Sequence, residues 1–398
     1  MKLAYFVHPH LGGTYTLYKH LRMGLMAYDI DVHWVALGTG SPGTSVPAGS
    51  DVEPGFVVHL QPSDSEAESA ARLIGALEEH GFDGVFINVL ADRLQMNVAG
   101  YLPARMLRII IVHNITPGTY AAARAIRDNV HATVGVSERC RRDLVQRFGF
   151  SPEWTVAIPN AVDTAAFRRV ERTPKPTDRT RLLFLGRIED APKGVFWLPA
   201  IMDRLPESIS LTVAGDGPDL ARLTERLARH AARVRFTGAV DGEEVPALAA
   251  AHDILIVPSR FEGFGFSIIE GMAAGCVPVV SRISGVTDMI VEDGASGFLF
   301  PVGDWAEAAR RIEELHRRPM TLARMSLNAR RRAESGFDIE TMSAAYHSLI
   351  ERLHREGPTL PPALPIDAWS VPAGLRAGFR TYLPRPVNNW LRVVKERI

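Results

Sequence analysis

Two glutamates, Glu262 and Glu270, flank a loop of alternating glycine and phenylalanine in the stretch PSRFEGFGFSIIEGMAAG (258–275). The loop follows a buried apolar strand, ILIVP, and runs into an apolar helix that we expect to begin near Ser267. Glycines let the backbone come close to a ligand, and the free N–H groups at the start of a helix attract an anion. In an open α/β sheet, ligands bind beyond the carboxyl ends of the strands, so this arrangement favours a nucleotide or sugar site.

Both glutamates also have purely structural interpretations. Ser267 and Glu270 have the S-x-x-E spacing of a capping box, in which their side chains would satisfy N–H groups at the start of the helix. Glu262 would then be an exposed loop carboxylate, and two glutamates at this spacing often occur by chance. These alternatives stay open from the residues alone.

Cations and a further glycine turn follow two other predicted strands of the same half. The stretch FLGRIEDAPKG (184–194) places Arg187 and Lys193 after a strand, where two cations can neutralise a diphosphate. Such residues are more often simply solvated at a surface. The stretch VAGDGP (213–218) places Gly215 after the next strand, where a tight turn and contact with a ligand are equally good explanations.

The first half of the chain has two comparable positions. Gly12 and Gly13 open a helix in HPHLGGTYTLYKHL (8–21), directly after the strand LAYFV, and form a backbone turn suited to an anion or an acceptor molecule. His113 follows the strand RIIIV, at the end of the sheet where ligands bind. A lone histidine is more often structural, so its role stays open at this point.

The elements that must position these residues are short apolar runs separated by segments with helical periodicity. Runs of this kind indicate parallel strands covered by helices on both faces, and hence an α/β fold. The predicted strands are LAYFV (3–7), VHWVAL (32–37), GVFIN (84–88), RIIIV (108–112), ATVGV (132–136), RLLFL (181–185), SLTVA (210–214), RVRFT (233–237), ILIVP (254–258), VPVVS (277–281) and GFLF (297–300).

Length and composition divide this fold into two similar halves. A chain of 398 residues is too long for one ordinary core, and the polar stretch RRVERTPKPTDRT interrupts the rhythm of strands and helices. Two Rossmann-like domains with mostly parallel sheets would face each other across a cleft. The predicted segments are an amino-terminal domain (1–167), a linker (168–180), a second domain (181–335), a helix that packs back toward the first domain (336–355) and a basic, aromatic tail (356–398).

Overall charge and cysteine content exclude several classes of protein. Lysine plus arginine and aspartate plus glutamate both number 45, so no global charge favours nucleic acid as a partner. The two cysteines, Cys140 and Cys276, match no metal-ligand spacing and indicate a reducing compartment. The chain shows no signal peptide and no apolar run long enough to cross a bilayer, so we expect a cytoplasmic protein.

Two further motifs point to other functions but lack the structural context that those functions need. Gly38 to Gly43 spells GxGxxG after a strand, which is the fingerprint of nicotinamide dinucleotide sites, but the proline- and glycine-rich segment that follows predicts no helix. Asp29 and Asp31 form a D-x-D pair before a strand, at the end of the sheet away from ligands. A loop and a solvated helix-to-strand turn are the better interpretations.

Taken together, these stretches resemble the retaining glycosyltransferases of family four, which have the GT-B fold. The resemblance covers residues 1 to about 355, and its most specific part is the E-x7-E stretch from Glu262 to Glu270. The segments GRIEDAPKG, VAGDGP and IPNAVD and the glycine pair of the first half have the order and spacing of that family.

The resemblance implies a role for each candidate residue. Glu270 would bind the ribose hydroxyls of the nucleotide, since one carboxylate accepts two hydrogen bonds from a vicinal diol. Glu262 would face the hydroxyls of the donor sugar, Arg187 and Lys193 would bind the diphosphate, and His113 would lie beside the transferred sugar. The candidate catalytic residues are Arg187, Lys193, Glu262 and His113; the candidate substrate-binding residues are Gly12, Gly13, Gly215, Gly263, Phe264, Gly265, Phe266, Ser267 and Glu270.

The reaction implied by the resemblance is transfer of a hexosyl group, with retention, from a nucleoside diphosphate sugar to an acceptor hydroxyl in polysaccharide or glycolipid synthesis. The acceptor would be a glycan or a lipid-linked molecule. We expect no cofactor and no metal requirement, because two protein cations can neutralise the diphosphate. A catalytically silent homologue that only binds sugar nucleotides and a nicotinamide-dependent oxidoreductase are the alternatives.

The carboxyl-terminal tail adds one expectation about location. Residues 369–398 carry six basic residues and one acidic residue, interleaved with Trp390 and other apolar side chains. This segment either packs on the first domain or is solvated, or it forms a basic, aromatic surface for anionic lipid. The last alternative would bring the protein to the inner face of a membrane.

Overall fold

The computed structural model describes residues 1–9, 12–39, 53–89, 92–172 and 179–376, together with positions 387, 390, 391, 393 and 394. These residues form two compact units. Unit 1 combines Met1–Asn160 with Ile339–Thr381, and unit 2 is built on Ala161–Asp338. Within the predicted linker, residues 173–178 lie outside the described residues.

Unit 1 is built around a parallel sheet. Its strands are β1 (Lys2–Phe6), β2 (Asp31–Thr39), β3 (Gly55–Leu60), β4 (Gly84–Asn88), β5 (Leu107–Val112), β6 (Ala132–Gly135) and β7 (Thr155–Ala157), in the spatial order β3-β2-β1-β4-β5-β6-β7. The central strands β4 and β5 are buried along their whole length, as expected for strands covered on both faces. The helices between the strands are α1 (Gly13–Leu25), α2 (Glu66–Glu79), α3 (Arg93–Asn97), α4 (Pro117–Ile126) and α5 (Glu138–Phe148).

Unit 2 repeats this architecture. Its strands are β8 (Thr180–Leu185), β9 (Ile209–Ala214), β10 (Val234–Gly238), β11 (Ile254–Val257), β12 (Val277–Arg282) and β13 (Phe298–Pro301), in the spatial order β10-β9-β8-β11-β12-β13 and all parallel. The helices are α6 (Thr164–Arg168), α7 (Asp190–Lys193), α8 (Leu198–Met202), α9 (Leu220–Leu227), α10 (Val245–Ala250), α11 (Phe266–Ala274), α12 (Thr287–Ile290), α13 (Trp305–Arg317) and α14 (Pro319–Gly336). One apolar core joins the strands to α8, α9, α13 and α14.

The strand order reverses once in each sheet, and each reversal creates a crevice. In unit 1 the reversal lies between β1 and β4, and in unit 2 it lies between β8 and β11. At such a point the loops after two neighbouring strands run in opposite directions, so a gap opens beyond their carboxyl ends. The predicted site residues of unit 2, except Gly215, lie in the loops after β8 and β11 or in α11, and these two loops border this gap.

The predicted strands are all present, with boundaries that shift by no more than two residues, and two strands were missed. β3 and β7 form the two edges of the sheet in unit 1. β3 has only one fully buried residue, and β7 is three residues long. Edge strands need less apolar sequence than central ones, so their signal is weak.

The two weaker motifs have structural explanations where the structure describes them. Gly38 belongs to β2 and pairs with β3, while the rest of GxGxxG, from residue 40 onward, lies outside the described residues. Asp29 adopts a left-handed conformation in the turn before β2, with a φ of 56°. Asp31 binds Arg22 and His33 at the surface. The interpretation of this pair as a solvated turn is confirmed.

The segment after α14 returns to unit 1. Helix α15 (Ile339–Glu356) packs against α1, and the segment after it runs along α3 and α4. Trp369 packs 4.6 Å from the ring of Tyr101 and donates to Glu66 at 3.2 Å. Leu364 donates a backbone hydrogen bond of 2.9 Å to the Gly100 carbonyl. Unit 1 is therefore assembled from two segments that are far apart in the chain.

Candidate functional site

Two loops of unit 2 are joined by an ion pair. Lys193 ends α7, in the loop after β8, and Glu262 lies in the loop after β11. Lys193 Nζ lies 2.6 Å from Glu262 Oε1, and the Ser259 hydroxyl donates a hydrogen bond of 2.7 Å to the same oxygen. Glu262 is 7% exposed, whereas 23% of the Lys193 side chain faces solvent. The site therefore holds a buried carboxylate beside a cation that a ligand can reach.

Arg187 lies in the same loop as Lys193, but at the surface. Its side chain is 68% exposed, and its Nε lies 3.2 Å from Glu189 Oε2. An exposed pair of this kind contributes little to stability, so Arg187 can exchange its partner at low cost. The structure thus brings Lys193 and Glu262 together and places the second predicted cation on the open side of the loop.

Three residues that organise this site were missed by the sequence analysis: Ser259, Asp190 and Arg260. Ser259 is fully buried, and Arg260 is 8% exposed. The Arg260 guanidinium lies 3.0 Å from the Asp190 carboxylate. Their position is the signal that could have found them, because all three lie in the loops after β8 and β11 that the sequence already assigned to ligands.

The helix after Glu262 begins without a side-chain cap. Helix α11 starts at Phe266, and its cap residue is Gly265, whose φ of 107° lies in the left-handed region that favours glycine. Ser267 is therefore the second residue of the helix and Glu270 the fifth, so the capping-box interpretation of this pair is wrong. A helix start presents N–H groups that lack intrahelical partners, and this one can receive an anion.

The aromatic residues of this loop anchor it to unit 2. Phe264 is 5% exposed, and its ring lies 6.1 Å from that of Phe266 and 5.9 Å from that of Phe337. Gly263 and Gly265 beside it are also buried. The side chain of Phe264 therefore supports the loop, and contact of the loop backbone with a ligand stays a prediction.

Glu270 is a half-buried carboxyl group on α11. Burial raises the pKa of this group to about 7, because a carboxylate is poorly hydrated there. Near neutral pH the group is therefore divided between its charged and neutral forms. Hydroxyl groups of a ligand that donate to the carboxylate would stabilise the charged form and lower the pKa.

Gly215 is required by the close passage of two loops. It follows β9 with a φ of 138°, and a Cβ at this position would lie 2.0 Å from the Gly186 carbonyl oxygen. The loops after β8 and β9 can therefore approach each other this closely only with glycine at 215. This steric requirement accounts for the residue, and a contact with ligand stays a prediction.

In unit 1, Gly12 and Gly13 lie exposed at the start of α1. No side chain caps this helix, and its first turn contains no acidic residue. Gly12 has a φ of 168°, which is extended backbone that any residue can adopt. The uncapped turn can receive an anion, as the sequence predicts, but the conformation at Gly12 itself does not require glycine.

His113 follows β5 and belongs to a hydrogen-bonded chain at the carboxyl ends of three neighbouring strands. Its Nε2 lies 2.6 Å from Asn88 Oδ1, and Asn88 Nδ2 donates to the Phe6 carbonyl at 2.7 Å. Because the Asn88 oxygen faces the ring, Nε2 carries the proton and Nδ1 is the acceptor. Burial lowers the pKa of His113 to about 4, so the ring is neutral at physiological pH.

The described residues include neither a metal-binding cluster nor a membrane-spanning helix. Within them, no group of three or more His, Cys, Asp or Glu side chains could hold a metal ion. No helix in this part of the chain is long and apolar enough to cross a membrane. Residues 377–386 and most of the predicted tail beyond them lie outside the described residues.

The chain is similar in sequence to glycosyltransferases and to a glycogen synthase. Residues 179–318 match the family described as Glycosyl transferases group 1. The chain is 29% identical over 235 residues to the glycogen synthase of Mycobacterium tuberculosis, covering 58% of this chain and 56% of that protein. It is 31% identical over 261 residues to the D-inositol 3-phosphate glycosyltransferase of Geodermatophilus obscurus, covering 59% of this chain and 56% of that protein. The matched region spans about half the length of these curated relatives.

A solved structure shares the fold over most of the chain. The crystal structure of HepE from Anabaena in complex with UDP-glucose aligns with a TM-score of 0.72, covering 89% of this chain and 100% of that chain at 20% sequence identity. Together with the two parallel sheets, this likeness confirms the predicted GT-B fold. At this level of identity the likeness concerns the fold alone.

Proposed function

We propose that this protein transfers a glycosyl group from a nucleoside diphosphate sugar to an acceptor hydroxyl. The observation that carries the proposal is the pairing of the buried Glu262 with the partly exposed Lys193, beside an uncapped helix start where the strand order of unit 2 reverses. The match of residues 179–318 to a family of glycosyl transferases, and the names of the two relatives, support the same reaction.

The donor would bind to unit 2. Lys193, Arg187 and the first turn of α11 supply positive charge for its diphosphate. Glu270 would accept hydrogen bonds from the ribose diol, and Glu262 would accept one from the sugar through Oε2, because Lys193 and Ser259 both bind Oε1. HepE was solved with UDP and with UDP-glucose, so UDP-sugars are the first donors to test.

In the reaction, the bond between the anomeric carbon and the diphosphate breaks, and negative charge moves onto the departing diphosphate. A cation that is already in place stabilises this charge without further reorganisation, and Lys193 is held at 2.6 Å by Glu262. The acceptor oxygen would form its new bond on the same face of the sugar, and its proton would pass to the departing diphosphate. We favour this route over double displacement, which needs a nucleophilic carboxylate at the anomeric carbon, because we assign the Oε2 atom of Glu262 to a hydrogen bond with a sugar hydroxyl.

In unit 1, His113 would act as a neutral hydrogen-bonding group. Its Nε2–H is committed to Asn88, so Nδ1 would accept a hydrogen bond from a hydroxyl of the sugar or the acceptor. A proton on both nitrogens is disfavoured by burial, which lowers the pKa of this group to about 4. The uncapped turn at Gly12 and Gly13 would receive the diphosphate or the acceptor.

We also propose a glycan or a lipid-linked molecule as the acceptor, and a cytoplasmic location. Lys193 and Arg187 would neutralise the diphosphate, so we propose that the reaction needs no metal. The basic residues of the tail would favour contact with the inner face of a membrane.

A ligand panel followed by a transfer assay tests the proposal. UDP-, GDP-, ADP- and TDP-sugars are added to wild type and Glu270→Ala, and the thermal transition is recorded. A donor at ~100 times its dissociation constant should stabilise the folded protein by about 2.7 kcal/mol. We expect one nucleotide to stabilise wild type more than the variant, and a labelled sugar to move to an acceptor. Binding without any transfer would favour the silent homologue, and no binding would contradict the proposal.

A further inference from the structure

Arg260 is a buried cation that the proposed reaction does not use. It stands two residues before Glu262, and only 8% of its surface is exposed. Its Nη1 lies 3.0 Å from Asp190 Oδ2 and also donates to the Asp190 backbone carbonyl. Removing an arginine from water is costly unless its donors are satisfied, so these contacts define where the side chain must be.

The group that Arg260 binds is the beginning of α7. Asp190 is the first residue of this helix, and its Oδ1 accepts the N–H of Phe196 at 2.9 Å. The Asp190 N–H donates to the carboxylate of Asp219 at 2.8 Å. Its carbonyl accepts the N–H of Gly194 at 2.9 Å, which closes the single turn of the helix. Arg260 therefore contacts the residue on which the turn is built.

Further contacts tie Arg260 to the rest of the turn. Its backbone N–H donates to the Pro192 carbonyl at 2.7 Å, and its guanidinium lies 4.2 Å from the ring of Trp197. A Cβ on Gly194 would lie 2.1 Å from the Pro258 carbonyl oxygen, so the two loops touch at this point. The loop after β11 thus contacts α7 and the residues that follow it at several points.

These contacts matter because α7 is too short to be stable without them. The helix has four residues, and Lys193 is the last of them. A single helical turn is unstable alone, since several residues must be ordered for one hydrogen bond. A lysine side chain is also a flexible four-carbon stem with a point charge at its end. The order at Lys193 must therefore come from neighbouring structure.

We propose that Arg260 is a positioning residue for the diphosphate: by clamping α7 to the loop after β11, it fixes Lys193 beside Glu262 before the donor binds. This inference rests on the proposed function for the role of Lys193. The clamp itself is a property of the protein without ligand and can be tested separately.

The first test measures the clamp directly. In Arg260→Met, the amide N–H groups of Lys193 and Gly194, which close the turn, should exchange with solvent at least about tenfold faster, because the turn opens locally. Arg181→Met is the matched control, since Arg181 pairs with the buried Asp253 at the other end of the same strands. The control should leave exchange in α7 unchanged. Unchanged exchange in Arg260→Met would overturn the proposal.

The second test asks whether Arg260 acts through Lys193. Misplacing a charged group by about 1 Å can cost about 100-fold in turnover, and we expect a loss of this order in Arg260→Met with a smaller loss in Arg260→Lys. The double variant Arg260→Met/Lys193→Met should be no slower than Lys193→Met alone. Multiplicative losses would overturn the positioning role even if exchange becomes faster. An inactive wild type would contradict the proposed function, while the exchange result would still decide whether Arg260 holds α7.

Discussion

Two buried carboxylates lie at opposite ends of β11: Asp253 directly before the strand, and Glu262 in the loop after it. Their hydrogen-bond donors are arranged in different ways. Before β11, Asp253 accepts hydrogen bonds on both oxygens, at 2.9 Å from the Arg181 backbone and at 3.3 and 3.4 Å from its guanidinium, with Arg172 at 3.5 Å. After β11, Glu262 receives Lys193 and Ser259 on one oxygen, Oε1. Asp253 is 3% exposed and Glu262 is 7% exposed. Burial is therefore alike, and the arrangement of donors is what differs.

The difference separates a structural carboxylate from one that is ready for a ligand. Two partly exposed arginines and a backbone N–H surround Asp253, so a substitution there removes the shared acceptor of several donors. Glu262 keeps a partly exposed lysine as its neighbour, and the two remaining N–H donors of that ammonium group can bind an anion while Nζ stays beside the carboxylate. The amino ends of the strands thus stabilise unit 2, while the carboxyl ends offer charge to a substrate.

The largest expected effect concerns Asp253, at the amino ends of the strands. Asp253→Ala should lower the free energy of unfolding by about 3–5 kcal/mol, because it removes the common acceptor of the Arg181 backbone N–H and of two arginine side chains, and hydrogen bonds to a charged group contribute about 1.5–3 kcal/mol each. Nucleotide affinity of the fraction that remains folded should not change. Urea unfolding followed by circular dichroism measures the first quantity, and titration calorimetry measures the second. A loss of affinity without a loss of stability would remove the contrast between the two ends.

The next effect concerns the two cations in the loop beyond the carboxyl end of β8. Lys193→Ala and Arg187→Ala should each reduce transition-state stabilisation by about 2–4 kcal/mol, because each removes charge from the departing diphosphate. The unfolding midpoint of Arg187→Ala should stay close to that of wild type, since its side chain is 68% exposed. Lys193→Ala should also lower the midpoint, because it leaves the buried Glu262 carboxylate without its cation. Steady-state transfer assays give the rates. Near-normal turnover in both variants would contradict the assignment of the diphosphate site.

Glu270 predicts a dependence on pH. Its folded-state pKa of about 7 lies above the ordinary value of 4.5, so the folded protein binds this proton more tightly than the unfolded chain does. The resulting stability, at most about 3 kcal/mol, is present below pH ~4.5 and is lost as the pH rises through about 7.

The difference in unfolding free energy between wild type and Glu270→Gln, measured from pH 4 to 8, should show this loss, because the variant cannot titrate. Donor affinity of wild type should rise over the same interval, since the carboxylate is the form that accepts from a diol. A pH-independent difference between the two proteins would show that Glu270 is not titrating in this range.

The smallest effect tests how Glu262 is oriented. Ser259→Ala removes one hydrogen bond to Oε1 and should cost about 1 kcal/mol, or roughly fivefold, in affinity for the sugar nucleotide. Affinity for the nucleoside diphosphate without its sugar should change less, because Lys193 remains. Calorimetric titration of both ligands into both proteins gives the comparison. Equal losses for the two ligands would mean that Ser259 supports the whole loop rather than the sugar contact.

The sequence could predict which loops carry the site but not how their side chains pair. Apolar runs reveal the central strands, and parallel strands place Lys193 and Glu262 at the same end of the sheet. The contacts among Arg260, Asp190 and Trp197 could not be predicted, because they join segments about 70 residues apart whose approach depends on the strand order. Helix α11 begins at Phe266, one residue before the predicted start near Ser267. This shift places Ser267 inside the helix, where it cannot form a capping box with Glu270.

The discontinuity of unit 1 has a consequence for synthesis on the ribosome. Its sheet strands all lie within Met1–Asn160, but α15 and the segment that packs on Tyr101 are made only after the 178 residues of Ala161–Asp338. At about 5–20 residues per second, the nascent sheet of unit 1 waits roughly 10–40 s for its last elements. The strands of unit 2 and its helices α6 to α14 have no such delay, because they all lie within the continuous segment Ala161–Asp338. The sheet and helices α6 to α14 of the later-encoded half can therefore form before α15 reaches unit 1, and the incomplete first half is the part that needs protection from aggregation during translation.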